Sequence, residues 1–322
     1  MMRIFRSQRG MSLVELMVAM LISLFLTAGL FTMFSMSSSN VTTTSQFNQL
    51  QENGRIALAI MERDFSQLGF MGDVTRLGAN SGNTTISATA VNADCVGGGP
   101  NNASFPNVQP SHFRLLWGYE QGAGAGFLTC ITPKNKTDVI QIKRLIGPPV
   151  TVLNATRYYA ATNQDEIIFF NGSAAAPGLA NSRLWEYQHH VYFIRDDGDI
   201  PVLRRRTLSI NNGMNNEEQL VEGIENMRIL YGFDNNGDGT ADSYMPAQNM
   251  TSPMWEHVDL FDIHQRLVAL RIFLLVRSSE EDRSYKNDAT YKLGDKTIDP
   301  LNDNYRRKVV SSTIILENPI LY

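Results

Sequence analysis

The chain has 322 residues, 43% of them apolar, and a formal net charge of -4, so it can bury a sizeable core in one large domain or two. A mildly acidic chain offers no electrostatic case for direct nucleic-acid binding. No nucleophile elbow, phosphate loop or paired metal-ligand motif is visible, so the chain reads as a non-enzymatic protein.

In chain order, the first feature is Arg9-Gly10-Met11-Ser12-Leu13-Val14-Glu15, preceded by Arg3 and Arg6 and followed by apolar and small residues to about Met36. No side chain from Leu16 to Phe34 is charged, and nineteen helical residues at about 1.5 Å rise approach a hydrocarbon core about 30 Å thick. This run can span a membrane. A secretory signal places its apolar region before the cleavage site, whereas here the basic leader reaches Gly10 first, so cleavage after Gly10 keeps the helix. The leader arginines place the N-terminus in the cytoplasm and the body outside. Removing the leader takes the formal charge from -4 to -7, since 25 basic residues then face 32 acids. Glu15 lies in the membrane end of the helix, where an unpaired carboxylate is costly, and it needs a partner.

These residues resemble the class III signal of type IV pilins and type II secretion pseudopilins. The resemblance implies that a prepilin peptidase cuts after Gly10 and methylates Met11. It also implies that Glu15, fifth in the mature chain, meets a neighbouring subunit's N-terminal amine. Met11 departs from the family's usual phenylalanine.

The polar stretch from Ser35 to Ser45 holds no Pro or Gly, so the helix continues. Phe47, Leu50, Gly54, Leu58, Met61, Phe65 and Leu68 recur at spacings of 3 and 4, one stripe of an amphipathic helix, and Gly69 supplies a stop. A helix from Met11 to Leu68 would be roughly 87 Å long, half in lipid and half on a globular body, the lollipop of pilins. Glu62-Arg63-Asp64-Phe65-Ser66-Gln67-Leu68-Gly69-Phe70-Met71-Gly72 is similar to the helix end of PilW-like minor pilins.

Asp73 to Pro110 is loose, with a turn at Gly97-Gly98-Gly99-Pro100. Export makes a Cys95–Cys130 disulfide feasible, and closing a loop of about 36 residues would stabilise the fold by roughly 4 kcal/mol. A metal site or a free thiol are the alternatives. His112 to Trp117 is strand-like. Further strands are expected at Asp138–Lys143, Glu166–Phe170, Tyr187–Arg195, Pro201–Leu208, Asn226–Phe233, Leu267–Arg277 and Lys308–Leu316. In the sixth of these, Val268, Leu270, Ile272, Leu274 and Val276 alternate, which predicts a central strand with Arg271 and Arg277 on its other face.

The fold class is thus α+β: a long N-terminal α-helix packed on a C-terminal antiparallel β-sheet domain, pilin-like. Leader 1–10, membrane half 11–36, amphipathic half 37–68 and extracytoplasmic body 69–322 are the expected divisions.

Asp234-Asn235-Asn236-Gly237-Asp238-Gly239-Thr240-Ala241-Asp242 has the start of a calcium loop. Asp234, Asn236, Asp238 and Asp242 offer side-chain oxygens, Thr240 a carbonyl, and Gly239 the sharp turn. Met245 stands where an EF-hand has its bidentate acid, and an Asn/Asp/Gly hairpin is the plainer alternative. The weaker signals are bland. His189 and His190 should face opposite sides of a strand. Arg204-Arg205-Arg206 reads as a solvated strand end before a phosphate patch, and Trp117, Trp185 and Trp255 as core or edge aromatics.

Val221 to Asp234 and Leu270 to Arg277 are also PilW-like in wording. The resemblance implies a minor pilin that joins other minor pilins and the major pilin to prime type IV pilus assembly, serving twitching, adhesion or DNA uptake. It would begin in inner-membrane lipid and end in the pilus. A type II secretion pseudopilin and a membrane-tethered calcium-dependent binding module are the rivals.

Overall fold

The computed structural model describes residues 10–74, 82–107, 113–124, 127–256 and 266–318. Leader residues Arg3, Arg6 and Arg9 lie outside them, as do His112, His257 and His264. The chain divides into two compact units, Met1–Gln49 and Leu50–Tyr322.

Among its described residues, the first unit is helical from Leu13 onward. The element α1 runs Leu13–Phe65, continuous through the Ser/Thr stretch as the absence of breakers predicts. Its apolar window has mean hydropathy 2.2 and none of it is buried within the chain, so Leu16, Leu21, Phe25, Phe31 and Phe34 all stand exposed. A helix apolar on all sides needs lipid or other helices around it.

The last turns of α1, from Leu50, belong to the second unit. Leu50, Ala57, Met61, Phe65 and then Leu68 are fully buried in its main core. Gly54 sits where a Cβ would come within 2.8 Å of Val310, so only glycine permits this closeness. The helix ends at Phe65 and not at Leu68. Leu68 donates to the Phe65 carbonyl in a tightened turn, and Gly69 takes a left-handed φ of 84°. A body beginning at Gly69 would therefore lose one wall of its core, which corrects the expected division at 68/69.

Fourteen strands follow among the described residues. Six of them form a path through one sheet: β1 (Thr84–Ile86), β5 (Ile167–Asn171), β4 (Tyr158–Thr162), β6 (Arg183–Asp197), β3 (Asp138–Ile146) and β2 (Leu116–Glu120). β6 is 15 residues long, which lets it pair with β4 along its first part and β7 (Ile200–Thr207) along its second; β8 (Glu217–Glu222) flanks β7. Among the described residues, only β1 and β5 pair in parallel. The second sheet has the order β10 (Ser243–Pro246), β9 (Ile224–Asp234), β11 (Arg266–Arg277) and β14 (Arg307–Ile315). A small hairpin pairs β12 (Tyr291–Leu293) with β13 (Lys296–Ile298).

Both faces of the first sheet are covered. Ile140, Ile142, Tyr192 and Ile194 join α1 and the second sheet in the main core; Val139, Leu145, Tyr187, Val191 and Phe193 join a second core with Phe113, Phe169 and Trp185. This explains why β3 is buried along nearly its whole length.

Several sequence expectations change in detail. The strand after His112 begins at Leu116. In β11 the pairing slips between Leu267 and Ala269, so Leu267 enters the main core and Val268 does not. Arg277 is buried, donating to the Asp199 carbonyl and lying 4.0 Å from the Tyr305 ring, and Arg271 lies over Tyr244. Arg204, Arg205 and Arg206 are neither a solvated end nor a phosphate patch. They sit mid-strand and are neutralised by Asp197, Glu217 and Glu218. Cys95 and Cys130 form a disulfide, tying the loose segment to the turn after β2.

Candidate functional site

At the N-terminus, residues 10–12 precede the helix and are exposed. A Cβ on Gly10 would meet nothing within 4 Å, so the fold does not require glycine there. Ser12 and Glu15 form a reciprocal helix cap: the Ser12 hydroxyl accepts from the Val14 amide at 3.2 Å, and the Glu15 carboxylate accepts from the Ser12 amide at 2.9 Å. The capping role was hidden in the sequence by the stronger signal of a carboxylate in an apolar run, although the Ser-x-x-Glu spacing carries it.

A second constellation lies where α1 ends. Asp64 is buried, and its carboxylate meets Arg144 Nε at 2.9 Å, His190 Nδ1 at 2.5 Å and the Tyr192 hydroxyl at 2.6 Å. Arg144 also donates to Gln67 at 2.6 Å. Burial opposes ionisation of Asp64, but His190, Arg144 and Tyr192 outweigh it and hold the carboxyl well below its usual range. This polar knot locks the helix end to β3 and β6. His189 faces the other way, into the second core, where its Nδ1 is 2.8 Å from the Ser104 hydroxyl. The two histidines thus serve separate clusters, as the strand period predicts.

The loop after β9 brings all five candidate calcium residues into one turn, closed by its own hydrogen bonds. Asp234 is buried and accepts from the amides of Asn236 (3.0 Å), Gly237 (2.6 Å) and Gly239 (2.8 Å). Asp238 accepts from the Thr240 amide and hydroxyl, and Asp242 from the Asn235 amide. The Asn236 side-chain nitrogen stands between Asp238 and Asp242, at 3.2 and 3.3 Å, where it offsets their repulsion. Among the described residues, no group of three or more His, Cys, Asp and Glu side chains is arranged to hold a metal ion.

Trp185 and Trp255 are core residues, and Trp117 packs against Trp255 with ring centres 4.8 Å apart.

Two family models match this chain. Residues 5–31 match the prokaryotic N-terminal methylation motif, and residues 191–318 match type IV pilus-assembly protein W. The second match contains both body phrases, Val221 to Asp234 and Leu270 to Arg277; the helix-end phrase from Glu62 lies outside both. No curated protein and no solved structure matches the chain. The chain thus joins an N-terminal stretch similar to the prokaryotic methylation motif, an apolar helix whose membrane-length window is not buried, and a body whose residues 191–318 are similar to type IV pilus-assembly protein W.

Proposed function

We propose that this chain is a minor pilin, non-enzymatic, that joins other minor pilins and the major pilin in a complex priming type IV pilus assembly. In this reading prepilin peptidase cuts between Gly10 and Met11 and methylates Met11. The helix first lies in the inner membrane with its N-terminus cytoplasmic, and later in the pilus. The observation that carries the reading is the exposed apolar face of α1 behind Gly10, where a Cβ would meet nothing within 4 Å. The PilW match favours a pilus over a secretion pseudopilin. Twitching, adhesion and DNA uptake are the downstream roles such a subunit serves.

Glu15 provides the test. Its carboxylate both caps the helix and, in this reading, docks against a neighbour's amine. Glu15→Gln keeps a side chain able to cap but removes the charge, whereas Glu15→Ala removes both. Both variants should insert and be processed, and both should yield far fewer pili per cell. Normal pilus counts with Glu15→Gln and Glu15→Ala would refute the docking role.

The loop from Asp234 to Asp242 enters this reading as a calcium site on the same subunit, with Asn236, Asp238, the Thr240 carbonyl and Asp242 as further ligands. A cation would have to displace the Asn236 nitrogen now between the two acids. Calcium about a hundredfold above its Kd would stabilise the body by roughly 2.7 kcal/mol, which raises the melting temperature by several degrees. A fragment starting at Leu50 should melt higher with calcium than with chelator, and Asp238→Ala should abolish the difference. Coincident curves for the unmutated fragment would leave the loop as a turn.

A further inference from the structure

We propose that Lys143 and Asn102 condense into an intramolecular isopeptide bond that covalently fastens the loose segment before β2 to the middle of the first sheet. Lys143 lies on β3 and is wholly buried; its Nζ is 2.7 Å from Asn102 Oδ1 and 2.8 Å from the Arg114 carbonyl. The Phe113 ring centre is 4.7 Å away, and among the described residues no carboxylate forms an ion pair with this amine. Burial holds its basicity well below that of an ordinary lysine, which favours the nucleophilic form.

Asn102 is the complementary electrophile. It is buried, its oxygen faces the amine, and its Nδ2 donates to the Gly97 carbonyl at 2.7 Å, so the carboxamide is held at both ends. Its carbon is one bond beyond that oxygen, close to attack distance. Asp94 is the anion whose field acts on Lys143, and it is oriented by the Ser104 amide and hydroxyl.

The step balances without a redox partner. The Lys143 nitrogen adds to the Asn102 carbonyl carbon, one proton of the attacking amine passes to the carboxamide nitrogen, and the bond from carbon to that nitrogen breaks. One ammonia leaves, and a secondary amide remains. The dry, aromatic surroundings protect it from hydrolysis. Together with the disulfide it would give this segment two covalent ties, which suits a subunit of a fibre under tension.

The full chain, extracted in detergent, reduced and digested with trypsin, decides the matter by mass spectrometry. The expected product is a branched peptide joining the residues around Asn102 to those around Lys143, lighter by one ammonia, with no cut after Lys143. Asn102→Ala and Lys143→Met should give only linear peptides. Separate, unmodified Asn102 and Lys143 peptides from the folded unmutated chain would overturn the proposal, as would an ammonia loss located elsewhere.

Discussion

Replacing Gly10 by leucine should leave essentially all of the protein at full length in the inner membrane, still carrying its leader arginines. A side chain at this position meets nothing in the fold, so the block would come from the peptidase's recognition and not from misfolding. Gly29 provides the control, because a Cβ there also meets nothing within 4 Å. Gly29→Ala should be cut and methylated normally. Mass spectrometry of the mature N-terminus reads both outcomes, with methylated Met11 expected in the unmutated chain. A mature start beyond Ala28 would mean that the apolar helix is removed, and the pilin reading would fail with it.

The second large effect is expected at Asp64. Asp64→Ala would strand buried Arg144 and leave His190 and Tyr192 without their common acceptor, and loss of one partner from a buried charge pair costs about 3–5 kcal/mol. Denaturant unfolding of the fragment from Leu50 should show that loss as a lower midpoint. The pH dependence has a definite sign. Because the folded state holds this carboxyl below its ordinary value, its contribution is complete above about pH 4 and fades as the pH falls toward the folded value. Asp64→Asn should flatten that acid limb as well as lower stability at neutral pH. An unchanged acid limb in Asp64→Asn would show that other carboxylates govern it.

The reasons Asp64 escaped sequence reading are geometric. Its partners lie 80, 126 and 128 residues away along the chain, and no periodicity links positions so distant. Lys143 misled in a related way. A lysine at the end of an apolar run reads as a strand leaving the core, yet β3 continues to Ile146 because Asn102 and the Arg114 carbonyl receive the amine. β4 went unrecognised since Tyr158-Tyr159-Ala160-Ala161-Thr162 lacks the Val and Ile enrichment of its neighbours. Its alanines instead fit the crowded space between β5 and β6. β9 and β11 were legible because dense β-branched runs tolerate no other assignment.

What the sequence determined by itself is everything that acts through the linear chain. The basic leader, Gly10 and the uncharged run are local features of the sequence that need no long-range contact to be legible. Tertiary structure alone decided where the helix joins the body, which face Val268 loses to the bulge, and which charges are buried. Those outcomes depend on burial shared among distant segments, where desolvation makes a charge costly until its partners arrive together. Arg204, Arg205 and Arg206 show this most plainly: three adjacent cations promise a basic patch, and only the pairing of β7 with β8 brings Glu217 and Glu218 across to cancel them.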